Sequence, residues 1–460
     1  MSVCLWMAGI RRRVLVHSPR CFLSGVAPFS KQLLLPWGAR QLPGWSRLFL
    51  DTACQGNFVH VIAKNCQRGQ KHQKKPSRLG PPESSWQERL ADVVTPLWRL
   101  SYEEQLKVKF EAQKKILQRL ESYLQMLQRV KVTAAATSKE LCCLLHPIIP
   151  SPVINGYRNK STFSVNRGPD GNPKTVGYYL GTWRDGNVVC VQSSHLKNIP
   201  EKHNQVAQEE LCVQKEAIKE FFLRGPGAVC DLTSLYFQES TMTRCSHQQS
   251  PYQLLFGEPY IFEGLLGLKI RISPDAFFQV NTAGAEMLYQ TVGELSGVNA
   301  NTILLDICCG TGAIGLSLAQ HASQVLGIEL VEQAVEDARW TAAFNGITNC
   351  EFHAGRAEKI LPWLLKSKEG VQPVVAVVNP PRAGLHHRVV QAIRNCRAIR
   401  TLVFVSCKLH GETTRNITEL CCPPDSAKKL LGEPFVLRQA VPVDLFPHTA
   451  HCELALLCTR

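Results

Sequence analysis

The chain has 460 residues, 45% of them hydrophobic and 19% charged, with a formal net charge of +15. That length accommodates two or three domains, and no run of 18 apolar residues offers a membrane span. The charge invites a nucleic-acid partner, but residues 1–82 hold 13 Lys/Arg against one acid, Asp51, so the remaining chain is close to neutral.

The first 50 residues lack Asp and Glu and carry Arg11, Arg12, Arg13, Arg20, Arg40 and Arg47 among apolar residues and Ser. Such a leader reads as a mitochondrial transit peptide; a basic tail bound for RNA or the nucleus is the other reading. Residues 64–82 are basic and rich in Pro and Gly, as a linker is. The 19 cysteines include no Cys-x-x-Cys pair, so no metal site is expected. In a mitochondrial matrix they would stay reduced, most of them as small core residues.

From Trp86 to about Val130 the residues Leu106, Phe110, Leu117, Leu120, Leu124 and Leu127 recur at helical spacings, which predicts an amphipathic packing helix. Residues 156–200 switch to short strands broken by Gly, Asn and Asp. At their start Tyr157, Arg158, Asn159 and Lys160 stand together. An aromatic beside basic and amide groups can stack on a base and hold phosphate, although a surface hairpin reads the same way. Residues 204–224 read as another helix. From residue 273 strand and helix alternate to the end, which predicts an α/β domain with a doubly wound, mainly parallel sheet. The expected organisation is a leader and linker (1–82), a helical segment (83–150), a β-rich RNA-recognition domain (151–272) and a catalytic domain (273–460).

The most legible stretch is LLDICCGTGAIG. A strand ends at Asp306, and Gly310 and Gly312 then open a helix, allowing a tight turn and close approach to a ligand. A second strand ends in Glu329, placed to accept from ribose hydroxyls. A dinucleotide site fits the glycines, because Gly315 supplies a third, but Asp306 would repel a pyrophosphate. The fourth strand ends in Asn379-Pro380-Pro381-Arg382, which has no role in a dehydrogenase. Together these residues predict an S-adenosylmethionine site. Asn-Pro-Pro alone also suits a methyltransferase acting on the exocyclic amine of adenine.

The next strand runs out at Cys407. Free cysteine is often core filler, yet neighbouring parallel strand ends lie about 5 Å apart, so Cys407 could face the cofactor's methyl group. Methylation at carbon 5 of a pyrimidine uses such a thiolate: addition at carbon 6 makes carbon 5 nucleophilic, and a base then removes its proton. Glu453, opening an apolar strand, is the candidate base, because burial would raise its pKa. Lys408 and His410 could favour the thiolate. His448 and His451 read as structural.

GYRNK, FFQVN, LLDICCGTG, GIELV, NPPRAGL, FVSC and VDLFPHTAHCE occur in this order. From about residue 92 onward the chain resembles the RNA uracil-5-methyltransferases, and within them the animal mitochondrial branch. The resemblance implies S-adenosylmethionine-dependent methylation of uridine in mitochondrial tRNA or rRNA by a monomer without metal or membrane. By motif it makes Cys407 the nucleophile, Glu453 the base, and Gln279, Cys308, Ala313, Glu329 and Asn379 cofactor-side residues. Asn379 departs from the family's usual Asp, and Lys408-Leu409 from its usual Asn-Pro. The rRNA branch's cysteine cluster and N-terminal barrel are not evident. Methylation of cytosine-5 or adenine-N6, or an RNA-binding factor with a decayed site, are the other readings.

Overall fold

The computed structural model describes the backbone of residues 11–17 and residues 84–129, 143–181, 187–208, 233–240, 251–367 and 372–460. The chain divides into two units: residues 1–100, 155–261 and 448–450 in one, and residues 101–154, 262–447 and 451–460 in the other. The expected linker, the segment after Gln208 and residues 182–186 lie outside the described residues.

In the first unit an antiparallel sheet has the order β5-β4-β3-β1-β6-β7. Its strands are β1 (Arg11–His17), β3 (Lys160–Asn166), β4 (Thr175–Leu180), β5 (Val189–Val191), β6 (Ser234–Ser240) and β7 (Gln253–Gly257). Seven residues of the expected leader, β1, thus pair with both β3 and β6. Phe163, Val176, Leu180, Leu196, Leu235 and Phe237 form its core with Leu90 and Ala91 of α1 (Trp86–Val94).

The single long helix expected after Trp86 is two helices, divided between the units. Helix α1 begins in a capping box, Ser85 with Glu88, and stops ahead of Pro96, which disfavours helical backbone at Thr95. A second reciprocal cap, with Ser101 Oγ accepting from Glu104 N at 3.3 Å and Ser101 N donating to Glu104 Oε2 at 2.9 Å, opens α2 (Tyr102–Arg129). The packed face of α2 also differs from the leucine reading. Leu117 and Leu120 are buried as expected, but in its first half Gln105, Lys109 and Gln113 are buried while Leu106 and Phe110 are half-buried.

The second unit holds an eight-stranded sheet, β12-β11-β10-β13-β14-β16-β15-β2. The strands are β2 (Leu144–Leu145), β10 (Ile303–Ile307), β11 (Gln324–Glu329), β12 (Cys350–Ala354), β13 (Val374–Val378), β14 (Ile399–Ser406), β15 (Val436–Val443) and β16 (Glu453–Thr459). A two-stranded hairpin, β8 (Ile261–Leu265) with β9 (Leu268–Ile272), precedes it. The first five strands are parallel, and β10 and β13 are buried at every residue, as strands covered on both faces must be. Strand β16 runs antiparallel to β14 and β15. The helices are α3 (Glu201–Gln208) in the first unit and α4 (Thr282–Ser296), α5 (Ala313–Leu318), α6 (Glu332–Phe344), α7 (Ala357–Ser367), α8 (His387–Asn395) and α9 (Glu412–Cys421) in the second. The fold is the α/β class that the alternation predicts, with a mostly parallel sheet. Among the described residues no helix is long and apolar enough to cross a membrane.

Candidate active site

Parallel strands bring their carboxyl ends to one edge, and there the register collects the candidate residues. Ile307 of β10 pairs with Ile328 of β11 and Val378 of β13. Cys308, Glu329 and Asn379 therefore leave three adjacent strands side by side, and Asn379 N donates to the Ile307 carbonyl at 3.2 Å.

The loop after β10 is a tight cradle. The amides of Cys308 and Cys309 both donate to the Ile328 carbonyl, and Cys308 (φ 63°), Gly310 (φ 56°) and Gly312 (φ 73°) all turn left-handed. A side chain at Gly312 would meet the Phe352 ring at 2.8 Å, and one at Gly310 the Phe277 carbonyl at 3.2 Å. Only glycine lets the backbone pass so close to its neighbours there. Glu329 folds back over this loop: one oxygen accepts from Gly310 N at 3.0 Å, the other from the amides of Leu330 and Val331. A carboxylate so held keeps lone pairs for a diol at the end of β11.

Asp306 sits beneath the cradle. It is fully buried, and its Oδ2 accepts from Gly315 N at 2.9 Å while Oδ1 has no hydrogen-bond partner. Burial pushes its carboxyl up to about 7. Asp306 thus braces the turn from below, and Ala313, buried at the start of α5, is packing of the same turn. Gln279 is buried on the loop ahead of α4.

The second half of the edge carries reactive groups. Ser406 of β14 pairs with Leu454 of β16 in antiparallel register, so one further step sets Cys407 across from Glu453. Residues at directly opposed antiparallel positions have Cα atoms about 4.5–5.5 Å apart. Strand β13 lies on the other side of β14, and the Asn379–Arg382 turn leaves it beside Cys407. The positive charge of Arg382 favours the ionised forms of both Cys407 and Glu453.

Burial pushes the Cys407 thiol up to about 11, with the charge of Glu453 adding and Arg382 opposing. Burial also pushes Glu453 up to about 7, again against Arg382. Glu453 is 4% exposed, and its Oε2 has no hydrogen-bond partner. A nearly neutral-pH carboxyl with a free oxygen beside a thiol has the chemistry that a base and a nucleophile would need.

Arg382 is the residue beside this pair that sequence reasoning did not select. A signal for it existed: the two prolines that fix the turn also fix the residue that follows them. Burial and then the charge of Arg382 lower the Lys408 pKa against the pull of Cys407, and burial with the charge of Lys408 lowers that of His410. His448 is structural, as expected: its Nε2 lies 2.8 Å from Asn155 Oδ1.

The RNA tetrad is only half available. Tyr157 is 1% and Asn159 3% exposed, so neither presents a free face to a base in this conformation. Arg158 and Lys160 are half-buried, and Arg158 Nε donates to the Lys160 carbonyl at 3.1 Å.

Residues 298–399, which span the cradle and Asn379, match the model of a methyltransferase domain. The human protein named tRNA (uracil-5-)-methyltransferase homolog B is 74% identical to this chain, over 99% of it and 100% of the relative. The human homolog A is 37% identical over 81% of this chain and 68% of that protein. A solved Pyrococcus abyssi tRNA (uracil-54, C5)-methyltransferase, in complex with S-adenosyl-L-homocysteine, shares the fold at a TM-score of 0.51 and 21% identity, over 79% of this chain and 85% of that one. The chain belongs to the tRNA (uracil-5-)-methyltransferase family.

Proposed function

We propose that the chain methylates carbon 5 of uridine in mitochondrial tRNA, with S-adenosylmethionine as donor, through a covalent Cys407 adduct. The observation that supports the mechanism is the β14–β16 register, in which Ser406 pairs with Leu454, so that Cys407 and Glu453 come next on the two strands. When bound, the donor supplies an electrophilic methyl group. Gly310, Gly312 and Glu329 would hold it, with Asp306 bracing their turn.

A uridine leaves its stack to reach this edge, at a cost of a few kcal/mol. The Cys407 thiolate, favoured by Arg382, adds to carbon 6 of uracil. The π pair of the carbon 5–carbon 6 double bond shifts to carbon 4–carbon 5, and the carbonyl π pair moves onto the carbon 4 oxygen, giving an enolate. Carbon 5, now enolate-like, takes the methyl group. Glu453 removes the remaining proton from carbon 5, the double bond re-forms, and Cys407 leaves as thiolate. Amine methylation on adenine has no use for this pair. A non-catalytic RNA-binding role would leave the pair without purpose.

Fluorine at carbon 5 cannot be removed as a proton. Mitochondrial tRNA containing 5-fluorouridine, incubated with the protein and the donor, should therefore leave a stable adduct. Mass spectrometry should place it on the peptide holding Cys407, and Cys407→Ala should abolish it. Cofactor binding with no adduct would sink the reading.

Arg158 and Lys160 are proposed to bind the phosphate backbone. Each phosphate that a side chain ceases to neutralise lowers the salt slope of binding by about one. Changing both residues to Ala should lower affinity and that slope together; if neither moves, the phosphates are held elsewhere. Mitochondrial import is proposed from the acid-free leader. Intact mass of the protein from isolated mitochondria should show loss of N-terminal residues, and a full-length mass there would refute a cleaved leader. A cut beyond His17 would remove β1 from between β3 and β6.

A further inference from the structure

The first half of α2 buries amide and ammonium groups where a packing helix would use leucine. Lys109 and Asp444 have fully buried side chains, with Nζ 2.6 Å from Oδ1. Taking both charges out of water is costly, and burial lowers the Lys109 pKa against the pull of Asp444. A merely adhesive helix would gain more from apolar packing at this position.

What the pair holds is one corner of the sheet. Lys109 Nζ also donates to the Phe446 carbonyl at 2.9 Å, and Asp444 Oδ1 accepts from Phe446 N at 3.0 Å. Tyr102 OH donates to Asp444 Oδ2 at 3.1 Å and accepts from Ser151 N at 2.7 Å. Asn281 Nδ2 reaches Ser151 Oγ at 2.9 Å and the Leu445 carbonyl at 3.0 Å. Asn281 stands two residues beyond Gln279, on the arm expected to meet the cofactor. The corner follows Val443, and Val443 is the register partner of Glu453.

We propose that the Lys109–Asp444 pair, with Tyr102 and Asn281, is a positioning element that fixes Glu453 against Cys407 and locks it to the Gln279 arm. The proposal rests on the covalent mechanism above. Lys109 touches no reacting atom; it acts by holding the corner at which β15 ends, next to Val443, the register partner of Glu453. Helix α2 is therefore part of the catalytic apparatus, although it lies far from the cradle in sequence.

The test uses a step that a general loss of structure would not single out. Glu453 acts only after the adduct has formed and the methyl has moved. A displaced Glu453 therefore lets the adduct form on ordinary uridine but slows its release. Full-length Tyr102→Phe and the charge-free Lys109→Met/Asp444→Asn double variant would be incubated with unmodified tRNA and donor. Denaturing gels would read the adduct, and methyl incorporation the turnover. The expected result is turnover lowered ten-fold or more, with adduct accumulating above the wild-type level. The double variant would be compared with wild type by thermal melting, and Tyr102→Phe, which keeps its ring, guards against a double variant that fails to fold.

Turnover and adduct falling together in folded variants, or both unchanged, would overturn the positioning role. The 5-fluorouridine adduct on the wild-type protein is measured alongside. If it forms and the variants do not accumulate adduct, only this inference fails. If it does not form, the covalent mechanism itself is wrong.

Discussion

Glu453→Gln should lower turnover by about three to four orders of magnitude, the upper end of what general-base catalysis contributes, while leaving the first half of the reaction running. The amide matches the carboxylate in shape but takes no proton from carbon 5. Cys407 still adds and the methyl still moves, so a denaturant-stable adduct should build up on ordinary uridine. In the wild type, only fluorinated RNA should give one. A variant that is inactive and forms no adduct would mean that Glu453 acts before methyl transfer.

The same substitution should stabilise the fold, and the sign follows from burial. Glu453 is raised from an ordinary carboxylate value to about 7 in the native state. Between about 4.5 and 7 the native protein therefore holds a proton that the unfolded chain has lost, and stability falls as pH rises through that window. Above it, the buried charge costs about 3 kcal/mol at 1.36 kcal/mol per pH unit. Glu453→Gln removes this cost, so its melting temperature should exceed the wild type's at pH 8 and match it at pH 4. Some pH dependence should persist, because Asp306 is raised to about 7 by the same cause. Equal melting temperatures at pH 8 would show that water or a neighbour already offsets the cost of the Glu453 charge.

The sheet was legible because its strands are continuous apolar runs closed by Gly, Pro and Asp signals, and the cradle because three glycines follow an acid-ended strand. Cys407 and Glu453 were legible as a candidate pair through chemistry: each polar group ends or opens an apolar strand, where packing gives it no reason to be. Their facing was not legible. It depends on β16 running antiparallel beside β14, and nothing local in either segment records that pairing. Helix α2 failed for a related reason. Periodicity marks an apolar stripe, but the buried stripe at Gln105, Lys109 and Gln113 is polar, and its Lys109 satisfies backbone and carboxylate groups of a corner more than 330 residues away. Tyr157 failed oppositely: an aromatic among basic residues reads as a recognition surface, yet its ring is buried in the fold.

Arg382→Met should lower turnover by about 10- to 100-fold at neutral pH, since a hydrogen bond to a charged group contributes about 1.5–3 kcal/mol. The profile across pH is the more telling quantity. Arg382 opposes the rise of both neighbours, Cys407 at about 11 and Glu453 at about 7. Without it both values move further up. At pH 7 less of the thiol is ionised and more of the base is protonated, so the two losses have the same direction. Raising the pH to 9 restores both charged forms in part, and the deficit relative to wild type should shrink. Arg382→Lys keeps the positive charge but not the planar fork, so it should retain part of the rate and a profile nearer the wild type's. A deficit of the same size at every pH, with Lys no better than Met, would assign Arg382 to holding RNA or shaping the turn after Pro381. A deficit that closes as pH rises would identify the guanidinium as the group that makes a buried thiol and a buried carboxyl work as a pair.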